Sequence, residues 1–133
     1  MKKILILLVS VLGLSSCLNN DEPNFKYEFL KIDEAITPQS FTFMQKDTIT
    51  LKYTLPNTCY SFYNVSYEYK DVERIVAVVA LVLLDDPCAQ VTEQKEIKFP
   101  VLASQKEDYV FKFYKGKDND GRNIFQEVII PVN

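Results

Sequence analysis

The sequence lacks histidine and tryptophan entirely, and its 133 residues include only three glycines and three cysteines. Without histidine, Ser-His-Asp and Cys-His catalysis and histidine-based zinc sites are excluded. Gly116 and Gly121 are the only glycines after residue 13, which is too few for a phosphate-cradling loop. The 15 basic and 18 acidic residues nearly balance, so no electrostatic feature favours nucleic acid as a partner. We expect no cofactor and no metal.

The N-terminal segment has the organisation of a secretory signal peptide. Met1-Lys2-Lys3 is a basic start, the run from Ile4 to Leu14 is almost entirely apolar, and Ser15-Ser16 precedes Cys17. The run is too short for a membrane-spanning helix, which needs about 20 apolar residues. We therefore predict that residues 1–16 are a removed signal.

The end of this segment, Leu14-Ser15-Ser16-Cys17, resembles the lipobox of bacterial lipoproteins. In that family the chain is cut before the cysteine, whose thiol is lipidated and whose new N-terminus is acylated. Two or more acyl chains hold a protein stably on a membrane, since each buried methylene contributes about 0.8 kcal/mol. The resemblance implies a lipid anchor on Cys17 and a place in the bacterial cell envelope, at the outer membrane, facing the periplasm or the surface. The alternative is an ordinary signal peptide with a chance cysteine.

Residues 17–24 form the predicted tether, because residues 18–24 are polar, acidic and without periodicity. Asp21-Glu22 also resembles the surface-export signal of Bacteroidetes-type lipoproteins, and a plain solvated linker explains it equally well. The mature chain as a whole resembles small lipoproteins of such bacteria, and that resemblance implies no activity. Removing 16 of the 133 residues leaves 117, and losing Lys2 and Lys3 changes the net charge from −3 to −5. Residues 25–133 are then one small domain.

The domain is predicted to be all-β, an antiparallel β-sandwich of about seven strands separated by turns. The run 75–84 could be a buried helix. Its β-branched residues, its shortness and the following Asp85-Asp86-Pro87 favour a strand buried on both faces. The polar segment 91–99 is predicted to be an edge strand. The predicted strands are 25–32, 48–55, 60–69, 75–84, 91–99, 109–114 and 123–132.

Asp108-Tyr109-Val110-Phe111 resembles the start of the sixth strand of immunoglobulin-like domains. The resemblance implies that the Tyr109 hydroxyl bonds back to the chain and that Phe111 occupies the place of the usual second cysteine. Because tryptophan is absent and the cysteines lie elsewhere, the chain fits only the looser immunoglobulin-like sandwich group.

Cys59 and Cys88 form an even pair in a chain predicted to reach an oxidising compartment, which favours a disulfide. Segments 60–69 and 75–84 are predicted to form a hairpin turning near residues 71–73, with the two cysteines opposite each other at its open end. Closing this loop should contribute about 3–4 kcal/mol. A redox or metal-binding pair is disfavoured, since no Cys-x-x-Cys spacing occurs.

Segment 75–84 is apolar on both faces, whereas a two-layer sandwich covers only one face of each sheet. Either another part of the chain covers the second face, or that face docks a partner or a second copy. The neighbouring tyrosines could flank such a face or belong to the core. The candidate partner surface consists of Val76, Val78, Val82, Leu84, Tyr63, Tyr67 and Tyr69.

Two further short motifs are less specific signals than those above. Asp47-Thr48-Ile49 matches an O-glycosylation motif of Bacteroidetes-type exported proteins, with Thr48 as the acceptor, and such a pattern often arises by chance. Segment 117–123 partly resembles a calcium loop but lacks the distal glutamate. Because Asn119-Asp120-Gly121 is also a strong turn signal, we interpret this segment as a hairpin turn.

These observations favour a non-catalytic envelope lipoprotein, a tethered sandwich that binds a protein or a glycan or has a structural role. A protease inhibitor that presents loops to a protease cleft is an alternative. A hydrolase that uses carboxylates is a further alternative, although no pair of carboxylates stands out.

Overall fold

The structure, a computed structural model, describes residues 22–133, and this part of the chain is all-β. No helix occurs within the described residues. The eight strands are β1 (Phe25–Leu30), β2 (Ile32–Ile36), β3 (Lys46–Leu55), β4 (Tyr60–Lys70), β5 (Glu73–Leu83), β6 (Glu93–Leu102), β7 (Tyr109–Lys117) and β8 (Asn123–Ile130).

The strands form a five-stranded sheet and a three-stranded sheet. β5 is central in the larger sheet: β4 pairs along one edge, and β1 and β7 share the other, with β8 beyond β7. The smaller sheet has the order β2-β3-β6, so the polar β6 is an edge strand as predicted. β5 and β7 run parallel, whereas the other strand pairs are antiparallel. The all-β prediction with two sheets is confirmed, with one parallel pairing that it did not include.

The inner faces of the two sheets share one hydrophobic core. Alternate residues of each strand point into it, because successive side chains of a strand lie on opposite faces. The largest fully buried members are Ile32, Phe41, Ile49, Leu51, Val76, Val78, Tyr109, Phe111, Phe113 and Ile130.

The N-terminal strand is divided between the sheets, which is why the structure has eight strands rather than seven. β1 ends at Leu30 in the larger sheet, and β2 begins at Ile32 in the smaller one. Leu30 and Ile32 are both buried, while Lys31 between them is exposed. The chain therefore crosses between sheets within one residue, and each sheet receives an apolar anchor.

The β4–β5 hairpin turns at Asp71-Val72, where Lys70 is paired with Glu73. Asp71 has a φ of 56°, a left-handed conformation that aspartate tolerates better than most residues. The β7–β8 hairpin turns at residues 118–122, where the Asp118 carboxylate accepts hydrogen bonds from the backbone N–H of Asp120 and Arg122. The hairpin interpretation of this segment is confirmed.

Tyr109 lies at the start of β7 with its ring buried and its hydroxyl bonded back to the chain. The hydroxyl accepts hydrogen bonds from the N–H of Ser104 at 3.0 Å and of Gln105 at 3.4 Å. Phe111, two residues later, is fully buried in the core. The predicted hydroxyl bond of Tyr109 is confirmed, whereas the equivalence of Phe111 to the second cysteine of immunoglobulin-like domains stays a prediction.

Candidate functional site

The predicted signal peptide, Met1–Ser16, and the predicted lipidation site, Cys17, lie outside the described residues. The first described strand begins at Phe25, eight residues after Cys17. Within residues 22–133 no helix is long and apolar enough to cross a bilayer.

The predicted disulfide between Cys59 and Cys88 is present, with the two Cα atoms 5.3 Å apart. Its place in the fold differs from the prediction. The Cys59 carbonyl accepts a hydrogen bond from Leu83 N–H, so the strand residue facing Cys59 is Leu83 and not Cys88. Cys88 belongs to the loop between β5 and β6, which returns to β4 and bonds Thr58 through Ala89. The bridge therefore ties this loop to the start of β4.

Most of the predicted partner surface is not on the surface. Val76 and Val78 are 0% exposed and Val82 is 5% exposed, because the sandwich buries the even-numbered face of β5. These three valines cannot contact a partner while the domain is folded, so their assignment to a docking surface is wrong. The periodicity of β5 defined two apolar faces, and the face that meets the other sheet is the one we assigned to the partner.

The predicted tyrosines are divided between three environments. Tyr67 packs on the core side, with its ring centroid 5.8 Å from that of Phe99. Tyr69 is 70% exposed and lies over the guanidinium of Arg74. Tyr63 stands at a bulge of β4 and is exposed, and Leu84 is exposed just beyond β5. Of the predicted partner surface, Tyr63, Tyr69 and Leu84 remain exposed.

The outer face of the five-stranded sheet carries an exposed cluster of aromatic rings. Phe25, Tyr27 and Phe29 of β1 are paired with Leu83, Leu81 and Val79 of β5, so they share the face opposite the core. The Tyr27 ring lies 4.5 Å from that of Tyr63, and the Phe29 ring lies 5.9 Å from that of Tyr114. We call this surface the aromatic face; its residues are the exposed Phe25, Tyr27, Phe29, Tyr63 and Phe125 and the buried Tyr114, which is 6% exposed and packs near the Phe29 and Phe125 rings.

Much of the aromatic face is open to solvent. Phe25, Tyr27, Phe29 and Tyr63 are between 43% and 52% exposed. Interaction with the Tyr63 hydroxyl, followed by partial desolvation, raises the pKa of Tyr27 above its ordinary value. Sequence analysis noted the alternation of residues 25–29 but did not assign these residues to a site. The available signal was that Phe25, Tyr27 and Phe29 lie on one apolar face of β1, while β5 has a second apolar face beside them.

A polar cleft of about 600 Å³ lies on the three-stranded sheet between β2, β3 and β6. Its acidic residues are held by neighbours: Glu34 pairs with Lys52 at 2.8 Å, and Asp33 accepts a hydrogen bond from Thr54 at 2.7 Å. The hydrogen bond and charge of Glu34 raise the pKa of Lys52. Exposed pairs of this kind contribute little to stability. The cleft is a solvated polar surface and gives the hydrolase alternative no separate support.

A second cleft, of about 350 Å³, opens between the edge strands β4 and β6. Its lining includes Tyr67, Phe99, Leu102, Ser104 and Arg74. Arg74 is only 5% exposed, although arginine is rarely buried. Burial raises the pKa of the Tyr67 hydroxyl, which remains a hydrogen-bond donor at neutral pH. No role was predicted for Arg74 from the sequence. The available signal was its position directly before the apolar segment 75–84.

Thr48 lies in β3 with its side chain exposed on the outer face of the three-stranded sheet. It is therefore accessible to a modifying enzyme, and its glycosylation stays a prediction. Within residues 22–133 no group of three or more cysteine, aspartate or glutamate side chains is arranged to hold a metal ion.

Comparison of the chain with protein-family models, with curated proteins and with solved structures gave no match.

Proposed function

We propose that this chain is a lipid-anchored protein of the bacterial cell envelope, at the outer membrane, whose sandwich is a non-catalytic binding module for a protein partner. The aromatic face carries this proposal. A soluble domain gains stability by burying apolar rings, so a row of half-exposed rings is typical of a surface that is covered in a complex.

The composition of the aromatic face favours a protein over a glycan. Phe25, Phe29 and Phe125 have no polar side-chain atoms, and Val79 and Leu81 lie between the rings. A glycan needs hydrogen-bond partners for its hydroxyls, and this part of the sheet offers mainly the Tyr27 and Tyr63 hydroxyls. The core of a protein interface instead combines aromatic and aliphatic contacts and excludes charge.

The predicted anchor supports a partner within the envelope. Phe25 lies eight positions after Cys17, and a fully extended chain spans at most about 3.6 Å per residue. A lipid on Cys17 would keep β1 within about 28 Å of the bilayer. The first residue of the aromatic face is thus held near other membrane-bound proteins.

The immunoglobulin-like assignment is a further part of this proposal. The Tyr109 hydroxyl bond to Ser104 supports it, because immunoglobulin-like sandwiches have such a tyrosine near the start of the sixth strand. The parallel β5–β7 pairing departs from that pattern, whose sheets are antiparallel.

Photo-crosslinking in the native envelope tests the partner surface. A photoreactive phenylalanine analogue replaces Phe29 in the full lipidated chain, and the same analogue replaces Thr50, on the outer face of the other sheet, as the control. We expect a discrete protein adduct from position 29 only, and its loss in the Tyr27→Lys background. The captured protein, once purified, must bind the wild-type domain and not the Tyr27→Lys variant. Equal adducts from both positions, or saturable binding of an envelope glycan at the aromatic face, would overturn the proposal.

The anchor is tested separately. Mass spectrometry of the mature protein should show a diacyl or triacyl mass on Cys17 and no residue from Met1–Ser16. The Cys17→Ser variant should leave the membrane fraction. An unmodified Cys17 in membrane-bound protein would contradict the lipoprotein assignment while leaving the partner surface to the crosslinking result.

A further inference from the structure

Arg74 is a buried cation with only neutral partners. Its Nη1 donates hydrogen bonds to the carbonyls of Asp71 at 2.7 Å and Glu73 at 2.8 Å, and its Nη2 donates to Gln105 Oε1 at 2.6 Å. The guanidinium also lies 4.5 Å from the Tyr69 ring centroid and 4.9 Å from that of Tyr109. Gln105 is itself held in place, because its amide nitrogen donates to two backbone carbonyls.

The usual compensation for a buried arginine is a carboxylate, which pairs with the guanidinium through two parallel hydrogen bonds. None of the ion pairs among residues 22–133 includes Arg74. The nearest acidic side chain in sequence, Glu73, is paired with Lys112 instead. In addition, the Nε of Arg74 is buried and has no hydrogen-bond partner among the described residues. A buried donor on a charged group costs free energy unless an acceptor reaches it.

The cleft above Arg74 has the composition of a small-molecule site. Its volume of about 350 Å³ falls in the range of such pockets, which are mainly apolar with a few convergent polar groups. Tyr67 and Phe99 supply aromatic walls, and Ser104 is the small polar residue of the lining. Tyr69 is highly exposed and rests on the guanidinium, so this ring can turn outward without leaving a core position.

We propose that the cleft between β4 and β6 binds a small organic carboxylate with an apolar body, whose carboxylate pairs with the Arg74 guanidinium. The apolar body packs against Tyr67 and Phe99, whose rings line the cleft, and Tyr69 swings outward to admit the ligand. A single planar cation suits a carboxylate monoanion, whereas a phosphate dianion is usually held by several cations or backbone N–H groups. This site lies on the core side of the larger sheet and is independent of the aromatic face, so either proposal can fail alone.

The wild-type domain, titrated with 3-phenylpropionate and observed by NMR, tests the proposal directly. We expect the Arg74 Nε–H resonance and the ring signals of Tyr67 and Tyr69 to shift, with a dissociation constant on the order of 1 mM or below. The neutral analogue 3-phenylpropionamide should give at least a tenfold weaker response. An unmoved Nε–H signal at 10-fold excess over that constant, or equal binding of the amide, would overturn the proposal. Acetate binding as tightly as 3-phenylpropionate would overturn the apolar part of the assignment.

Matched arginine variants provide the second measurement, because the chain has one other arginine, Arg122, in the exposed β7–β8 turn. Arg74→Lys keeps the positive charge but removes the planar guanidinium and its paired N–H donors. This variant should bind 3-phenylpropionate at least tenfold more weakly. Arg122→Lys should bind as the wild type does. Equal affinities in the two variants would contradict a role for Arg74. If Arg74→Lys does not fold, the wild-type Nε–H shift decides the question.

Discussion

Long polar side chains join distant parts of the backbone in this domain. Lys115, at a bulge of β7, donates hydrogen bonds to the carbonyls of Ile32 at 2.7 Å and Asp33 at 3.0 Å. It thereby links the larger sheet to the chain just after the crossover at Lys31. The Tyr109 hydroxyl likewise accepts hydrogen bonds from the backbone N–H groups of Ser104 and Gln105, in the segment before β7. A single hydroxyl or ammonium here forms hydrogen bonds with two backbone groups at once.

Replacing Tyr109 with phenylalanine should therefore destabilise the domain more than its small change in shape implies. Tyr109→Phe removes the hydroxyl that accepts from the N–H groups of Ser104 and Gln105 and leaves Ser104 only its second acceptor, the Leu102 carbonyl, which should cost about 1–3 kcal/mol. Urea unfolding followed by tyrosine fluorescence measures this loss. Tyr63→Phe, at an exposed tyrosine, is the control and should change stability by less than about 0.5 kcal/mol. Equal midpoints for both variants would contradict the anchoring role of Tyr109.

The central element is β5, which is in contact with three other strands and separates the two environments of its sheet. Its even-numbered side chains from Val76 to Val82 lie on the core side, and Val79, Leu81 and Leu83 lie on the other face, paired with the aromatic residues of β1. Adjacent valines of β5, such as Val78 and Val79, therefore lie in different environments. This difference allows the two faces to be tested with one type of substitution.

Val78→Lys should prevent or severely impair folding, whereas Val79→Lys should leave a folded domain. Val78 is fully buried, so a lysine there is desolvated without a partner and should cost more than about 3 kcal/mol. Val79 is half-buried on the outer face, where a lysine can extend into water, and should cost about 1 kcal/mol. Circular dichroism with thermal unfolding distinguishes them. Unfolding of both variants would show that the outer face is covered within the monomer.

The disulfide acts on the loop between β5 and β6 rather than on the strand ladder. The bridge spans 29 residues, and the double variant Cys59→Ser/Cys88→Ser should lose about 3–4 kcal/mol on the chain-entropy argument. Hydrogen exchange should rise first in the loop around Ala89, which bonds Thr58 next to the bridge. Uniform exchange across β4 and β5, with the loop still protected, would contradict this placement.

At the scale of the whole molecule, the parallel β5–β7 contact joins the two hairpins of the larger sheet. A half-buried ion pair between Glu73 and Lys112 spans this contact at 2.6 Å. The hydrogen bond from Lys112 lowers the pKa of Glu73 below its ordinary value of 4.5, and the same bond raises the pKa of Lys112. The charged pair thus stabilises the arrangement of the two hairpins.

This pair should make stability depend on pH in acid. Because the pKa of Glu73 is lower in the folded state, its contribution is present above the unfolded pKa near 4.5 and is lost as the pH falls through the folded value. Glu73→Gln should reduce the slope of unfolding free energy between about pH 5 and 3. Adding Lys112→Met to that variant should not reduce the slope further. An unchanged slope in Glu73→Gln would contradict the contribution of this pair.

The sequence by itself determined the elements with local signals. Alternation identified the strands, residues 71–73 and Asn119-Asp120-Gly121 marked the two hairpin turns, and the resemblance of the segment at Tyr109 to immunoglobulin-like domains implied its hydroxyl bond. The paired cysteines indicated the bridge. These features depend on side-chain periodicity and turn chemistry, which are properties of neighbouring residues.

Only the tertiary structure decided which face of each strand is buried and which strands meet. An apolar run such as 75–84 has two equivalent faces in sequence, and the packing of the second sheet buries Val76 and Val78 while leaving Val79 beside the aromatic rings. The crossover at Lys31, the parallel β5–β7 pairing and the neutral surroundings of Arg74 likewise join residues far apart in the chain. Such contacts form when distant segments bury apolar surface together, and local periodicity does not select the partner.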